Sequence, residues 1–206
     1  VTFGDVLLED PDAGESPIDV WNAGRLLYTA IPDNAKGLVH VTTDGGTSNA
    51  LAVGPTAFTG FAATAQRGEA ANPGQPSANA GQLITLRGEN LNPNTVLLFP
   101  TLNDNGVPGS ASVRISGTSA DGRSATVQVP DGAISGPVGM AGANGDFFLQ
   151  VVPVIDDFFL SALTEGNVLF LYGRGFVEGA GNVRFGSVVV NDPDTGPFQV
   201  DVYGAA

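Results

Sequence analysis

Aspartates are the residues of this chain with the clearest chemical potential. Asp10-Pro11-Asp12-Ala13-Gly14, followed by Asp19, recurs as Asp192-Pro193-Asp194-Thr195-Gly196, followed by Asp201. Closely spaced carboxylates on a glycine-containing loop suit a hard cation, and calcium accepts such oxygen ligands in flexible geometry. Glu9 and Glu15 add charge to the first copy. Asp10, Asp12, Asp19, Asp192, Asp194 and Asp201 are therefore candidate calcium ligands. The EF-hand pattern is incomplete, because its twelfth position counted from Asp10 is Trp21 rather than Glu. The same residues equally suit an Asp-Pro-Asp turn whose carboxylates accept local backbone amides.

Other chemistry finds little support. A Ser-His-Asp triad would have to use His40, the only histidine, and no Gly-x-Ser-x-Gly elbow accompanies it. Carboxylates are plentiful, yet none is distinguished as a glycosidase pair from a solvated acidic face. Gly173-Arg-Gly-Phe-Val-Glu-Gly179 has the wrong spacing for a dinucleotide loop and precedes no helical pattern. Lys36, the only lysine, falls in a turn-like stretch, which leaves no buried lysine for an intramolecular isopeptide bond. Trp21 and Tyr203 share one repeat position; they are expected in the core, with sugar stacking as the alternative if exposed. The expectation is of no catalytic residues and no enzyme activity in this segment.

The elements that must carry these residues are strands. The 206 residues include 29 Gly and 14 Pro, a density that opposes long helices. The 42% apolar content still supports a packed core. With 21 acidic against 8 basic residues, the net charge of -13 disfavours nucleic acid and anionic membrane partners. No cysteine is present, which removes disulfides and thiolate chemistry. No apolar run is long enough to span a membrane. The chain opens on Val1 rather than Met and reads as an interior piece of something longer.

Repeats organise the sequence. Val183 stands 182 residues after Val1, and over the 24 positions from each, 11 are identical without a gap. A shorter repeat lies within: Gly81-Gln-Leu-Ile-Thr-Leu-Arg-Gly88 parallels Gly166-Asn-Val-Leu-Phe-Leu-Tyr-Gly173, and an apolar residue follows three positions later, at Leu91 and Phe176. Ile31-Pro32 with Gly37-Leu-Val39 parallels Val129-Pro130 with Gly136-Pro-Val138. The resulting parse is the latter part of one unit at 1–54, a complete unit at 55–152 and the first part of a third at 153–206. Short β-branched or aromatic runs bounded by Gly, Pro and Asn, with Asp-Gly and Asn-Gly turns, predict strands throughout. The stretch 62–80, poor in large apolar residues, is read as a long loop or extended strand connection within the middle unit.

These residues resemble the IPT/TIG family of immunoglobulin-like domains. The resemblance rests on Gly166 to Gly173 with Phe176, on Val183-Arg-Phe-Gly186, and on the Val129-Pro130 and Ile31-Pro32 turns with their following glycines. The middle unit departs where Val96-Leu-Leu-Phe99 is followed by Pro100 instead of Gly. The implied fold class is all-β, as tandem immunoglobulin-like (IPT/TIG) β-sandwich domains. Phe3, Phe99 and Phe185 are then expected in sandwich cores, each contributing about 2–3 kcal/mol of burial. Such modules recur in bacterial surface arrays and beside starch-acting catalytic domains. The expected role is a structural or adhesive spacer, or a filament or sheath building block, of an extracellular or cell-surface bacterial protein. Its partners are expected to be neighbouring copies or repeats of itself. The alternative is an accessory carbohydrate-binding module, with polysaccharide as partner, of a larger hydrolase.

Overall fold

A computed structural model describes residues 1–9, 18–22, 24–31, 37–103, 106–162, 164, 167–177, 179 and 181–192. Among the described residues every regular element is a strand. The front portion holds β1 (Thr2–Phe3), β2 (Val6–Leu7), β3 (Ile18–Trp21), β4 (Leu26–Thr29), β5 (Leu38–His40), β6 (Thr42–Thr43), β7 (Gly46–Thr47) and β8 (Leu51–Ala52). The middle holds β9 (Ala57–Ala62), β10 (Ser77–Ala78), β11 (Leu83–Glu89), β12 (Val96–Leu102), β13 (Pro108–Arg114), β14 (Gly117–Thr118), β15 (Ser124–Gln128), β16 (Gly136–Met140) and β17 (Phe147–Val151). The end portion holds β18 (Val154–Leu160), β19 (Leu169–Arg174), β20 (Asn182–Phe185) and β21 (Val188–Asn191).

The middle portion forms two sheets, in the orders β14-β15-β11-β9 and β10-β17-β16-β12-β13. Alternation along each strand decides which residues meet between them. Ile84 and Leu86 of β11 are buried while Leu83 and Arg87 face out, and β15 buries Ala125 and Val127. The other sheet contributes Leu97 and Phe99 of β12, Val138 and Met140 of β16, and Leu149 of β17 to the same core. Phe58 packs edge-to-face on Phe61 and Phe147, with centroids 5.1 and 4.9 Å apart. Two sheets sharing one apolar core is the arrangement of a β-sandwich.

The stretch expected as a long loop or extended strand connection crosses between the two sheets of this sandwich. After β9 the chain crosses to the other sheet, where β10 pairs in parallel with β17, Ser77 opposite Gln150. Amide and hydroxyl side chains hold the crossing where large apolar ones are scarce. Gln150 Nε2 donates to the Asn72 carbonyl at 2.7 Å, and its Oε1 accepts from the Asn72 amide at 2.8 Å. Gln82 Nε2 donates to the Thr64 carbonyl at 2.8 Å, and Ser77 Oγ accepts from the Ala65 amide at 3.1 Å. Buried polar groups satisfied in this way fix a segment without apolar burial.

The front and end portions reuse pieces of the middle one. The front sheet β2-β1-β5-β8 repeats the order β13-β12-β16-β17, and the β3–β4 pair repeats β14–β15. At the end, β18–β19 repeats β9–β11, and the register shift falls at equivalent places: Thr59 is skipped opposite Arg87 and Gly88, Asp156 opposite Tyr172 and Gly173. A Cβ on Gly88 would come within 2.5 Å of the Ala57 carbonyl oxygen, and one on Gly173 would run into the Val154 carbonyl oxygen and the Phe176 ring. This close approach at a bulge accounts for the repeated glycine, and the apolar residue three positions on packs over it. The hairpin β20–β21 copies β1–β2, with Phe185 opposite Val188 as Phe3 is opposite Val6.

Two core expectations fail at the level of the residue. Phe3 and Phe99 are buried, but Phe185 is 45% exposed. Among the described residues, β20 and β21 form a two-stranded sheet by themselves, and their apolar face meets no second sheet. Trp21 is 61% exposed. Alternation places it on the face of Asp19, opposite to the buried Ile18.

Candidate functional site: the joint between units

Only some of the residues singled out for chemistry are among the described ones. Asp10, Asp12, Asp194 and Asp201 lie outside the described residues, as do Glu15, Pro32, Lys36 and Tyr203. Asp19 is exposed on β3, opposite Tyr28. Asp192 is buried, and its Oδ2 accepts a hydrogen bond from the Gly179 amide at 2.8 Å while its own amide donates to the Gly181 carbonyl at 3.0 Å. This carboxylate fixes the backbone of a loop 13 residues earlier rather than an amide of its own turn. Among the described residues, no three His, Cys, Asp or Glu side chains group as a metal site. His40 sits in β5 opposite Thr2, and its Nδ1 is buried without a hydrogen-bond partner.

The most elaborate polar constellation lies where the middle portion meets the end portion. Only Val152 and Pro153 separate β17 from β18, and Val151, Val152 and Val154 are all buried. Buried connections need their backbone groups satisfied. The Val152 amide donates to the Ala78 carbonyl at 2.8 Å, and Asn79 Nδ2 donates to the Val152 carbonyl at 2.9 Å. Asn79 also grips the crossing segment: its Nδ2 donates to the Arg67 carbonyl at 2.9 Å and its Oδ1 accepts from the Arg67 amide at 2.9 Å.

Arg67 carries the grip into the next unit. Its Nη2 donates to the Ile155 carbonyl at 2.6 Å and its Nη1 to Asp156 Oδ1. Arg174 Nε reaches the other carboxylate oxygen, Asp156 Oδ2, at 3.2 Å. Asp156 is the bulge residue of β18, so the irregularity aims its carboxylate at both guanidinium groups. The hydrogen bond from Arg67, then the one from Arg174, holds this carboxyl below the usual carboxylate range. All three side chains are partly exposed, so the ion pairs add orientation more than stability.

Sequence reasoning missed Arg67, Asn79, Gln150 and Asp156. The one available signal was scarcity: only 8 basic residues occur, and two of them converge on one aspartate. Among the described residues no helix is long and apolar enough to cross a membrane. No protein-family model, curated protein or solved structure matches the chain.

Proposed function

We propose that this chain is a structural repeat segment of a secreted or cell-surface bacterial protein, a spacer or a building block of an extracellular filament or sheath, made of tandem IPT/TIG-type immunoglobulin-like sandwiches. The observation that carries this reading is the reuse of one strand plan, bulge and hairpin register included, on both sides of a short, buried joint. With β9, β11, β12, β13, β14, β15, β16 and β17 lettered A, B, C, C′, D, E, F and G, one sheet runs D-E-B-A and the other G-F-C-C′. That order supports the immunoglobulin-like assignment. A joint gripped by Asn79 and Arg67 limits rotation between neighbouring units, which suits a stiff array better than a string of loosely tethered domains.

The test is contour length. Proteins carrying increasing numbers of the 182-residue period are measured by small-angle scattering. The expected result is a maximum dimension rising in proportion to the period count. Compact particles that thicken as periods are added overturn the reading.

A second reading, the accessory carbohydrate module, is favoured by one observation. Trp21 and Tyr28, on adjacent strands, expose 61% and 70% of their surface. Exposed aromatic faces are suited to stacking on sugar rings. Retention on insoluble polysaccharide that disappears in Trp21→Ala supports it; equal passage of both proteins through the column removes it.

A further inference from the structure

The sheet β10-β17-β16-β12-β13 lies wholly within the middle unit. Alternation sends Leu97 and Phe99 of β12, Val138 and Met140 of β16 and Leu149 of β17 into the core. Leu98, Pro100, Pro137 and Phe148 therefore stand on the outer face. Leu98 and Phe148 are 39% and 45% exposed, Pro137 is exposed and Pro100 half-buried. Leu98 lies opposite Ser112, Pro100 opposite Ser110, and Pro137 opposite Phe148, so the patch runs across β13, β12, β16 and β17. Two charges stand at its rims. Arg114 of β13 is opposite Val96, which shares the face of Leu98. Asp146 precedes β17, and a Cβ on Gly139 would lie 2.9 Å from its Oδ1. Gly139 is opposite Leu98, so this carboxylate lies over the same face. With β16 and β12 between them, the β17 and β13 sides are about 14 Å apart.

The other portions carry different residues on this face. Thr2 and Arg184 take the place of Leu98, Gly4 and Gly186 that of Pro100, and Ala52 that of Phe148. Charge is divided along the same line. Residues 55–152 hold 6 acidic and 4 basic side chains, against 15 and 4 over the remaining positions. Like-charged stretches repel, so two chains lying side by side meet least opposition where middle unit faces middle unit.

We propose that two copies of this chain pair side by side through this face, middle unit against middle unit, about a two-fold axis parallel to the strands. The proposal rests on the repeat-segment reading above and names its lateral partner. Such an axis lays β13 of each copy over β17 of the other. Arg114 of one copy then approaches Asp146 of the second, and the symmetric contact forms on the opposite rim. Leu98, Pro100, Pro137 and Phe148 of both copies pack between these two ion pairs, with strand directions within about 30° of each other. Ser110, Ser112 and Gly139 keep the face low, so the sheets can approach. Four strands of about five residues make a face of roughly 300 Å² per copy. A stable complex buries about 800 Å² per partner, so one such contact is weak. In an array it recurs with every 182-residue period, and affinity builds through repetition.

The experiment uses the complete 206-residue protein. Sedimentation equilibrium from micromolar to millimolar concentration is expected to show a mass rising toward twice that of the monomer. Arg114→Glu and Asp146→Arg, both at exposed positions, are each expected to weaken pairing about tenfold, since each sets like charges together. Mixed in equal amounts, the two proteins are expected to pair as tightly as the unsubstituted one, because both ion pairs re-form between unlike copies. Leu98→Glu is expected to stay monomeric with an unchanged urea midpoint. A monomer at every concentration overturns the proposal, whether or not it is retained on polysaccharide through Phe148. A mixture no tighter than its components overturns it too, as does association that persists in Leu98→Glu. The spacer reading is tested apart, by contour length of multi-period proteins carrying Leu98→Glu. Proportional lengths with a failed charge exchange overturn the lateral pairing alone; compact particles with a successful exchange overturn the spacer reading alone.

Discussion

Asn79 satisfies three backbone groups at once, the Arg67 amide and carbonyl and the Val152 carbonyl. Asn79→Ala strands the buried Val152 carbonyl, which left unpaired costs about 1–3 kcal/mol, and releases the part-buried Arg67 amide and carbonyl. The expected outcome is a lower urea midpoint with faster amide exchange across 63–76; an unchanged midpoint would show water replacing the side chain at no cost. Asp156 makes a pH-dependent contribution of definite sign. Its carboxyl titrates below the ordinary value of 3.8, so the folded joint holds that proton less readily than the unfolded chain does. The contribution is fully present above the ordinary value and is lost as the pH falls through the folded one. Exchange at Val152 to Asp157, corrected for its intrinsic pH dependence, is expected to accelerate as the pH falls below the ordinary carboxyl value of 3.8. In Asp156→Asn it should already be fast at neutral pH and insensitive to added salt.

At the scale of elements, repeated sequence does not mean repeated energetics. Phe99 and Phe185 hold the same place in their hairpins, yet only Phe99 is enclosed by a second sheet. Phe99→Ala is expected to cost about 3–5 kcal/mol. Phe185→Ala, removing an exposed ring, should stay within about 0.5 kcal/mol in the dilute monomer. Chemical denaturation of the two variants side by side checks the contrast. The strands were legible because Leu83 to Arg87 and Val168 to Tyr172 alternate or cluster apolar residues between glycines. The repeated Gly88 and Gly173 were visible as letters, but the bulge that demands them is a relation between two strands. The 62–80 stretch was legible as a connection, but what fastens it was not: it is held by Gln82, Gln150 and Asn79, and amide latches leave no hydrophobic period. The joint was illegible for the same reason, since Arg67 and Asp156 lie far apart in sequence and meet only through the fold. Of the aspartate candidates, Asp192 binds the Gly179 amide, a partner that local spacing did not indicate.

At the largest scale, apolar burial among the described residues is concentrated in the middle unit, and resistance to opening should follow it. Native-state hydrogen exchange is expected to find the slowest amides in β11, β12, β15 and β16. The pairs β3–β4 and β20–β21 should exchange through local opening, because among the described residues each of these strands has one partner strand. Uniform protection from Val1 to Asn191 would contradict this division. The parallel pairing of β10 with β17 has a mechanical meaning as well. β17 is the strand through which the middle unit leaves for the next one, and β10 follows the strand by which the chain enters. In the proposed array, a pull along its length would drag these two parallel strands past each other lengthwise, so their hydrogen bonds would resist in shear and fail together instead of unzipping singly. The same crossing that Asn79 and Gln150 pin in place thus sits where a stretched array would carry its load.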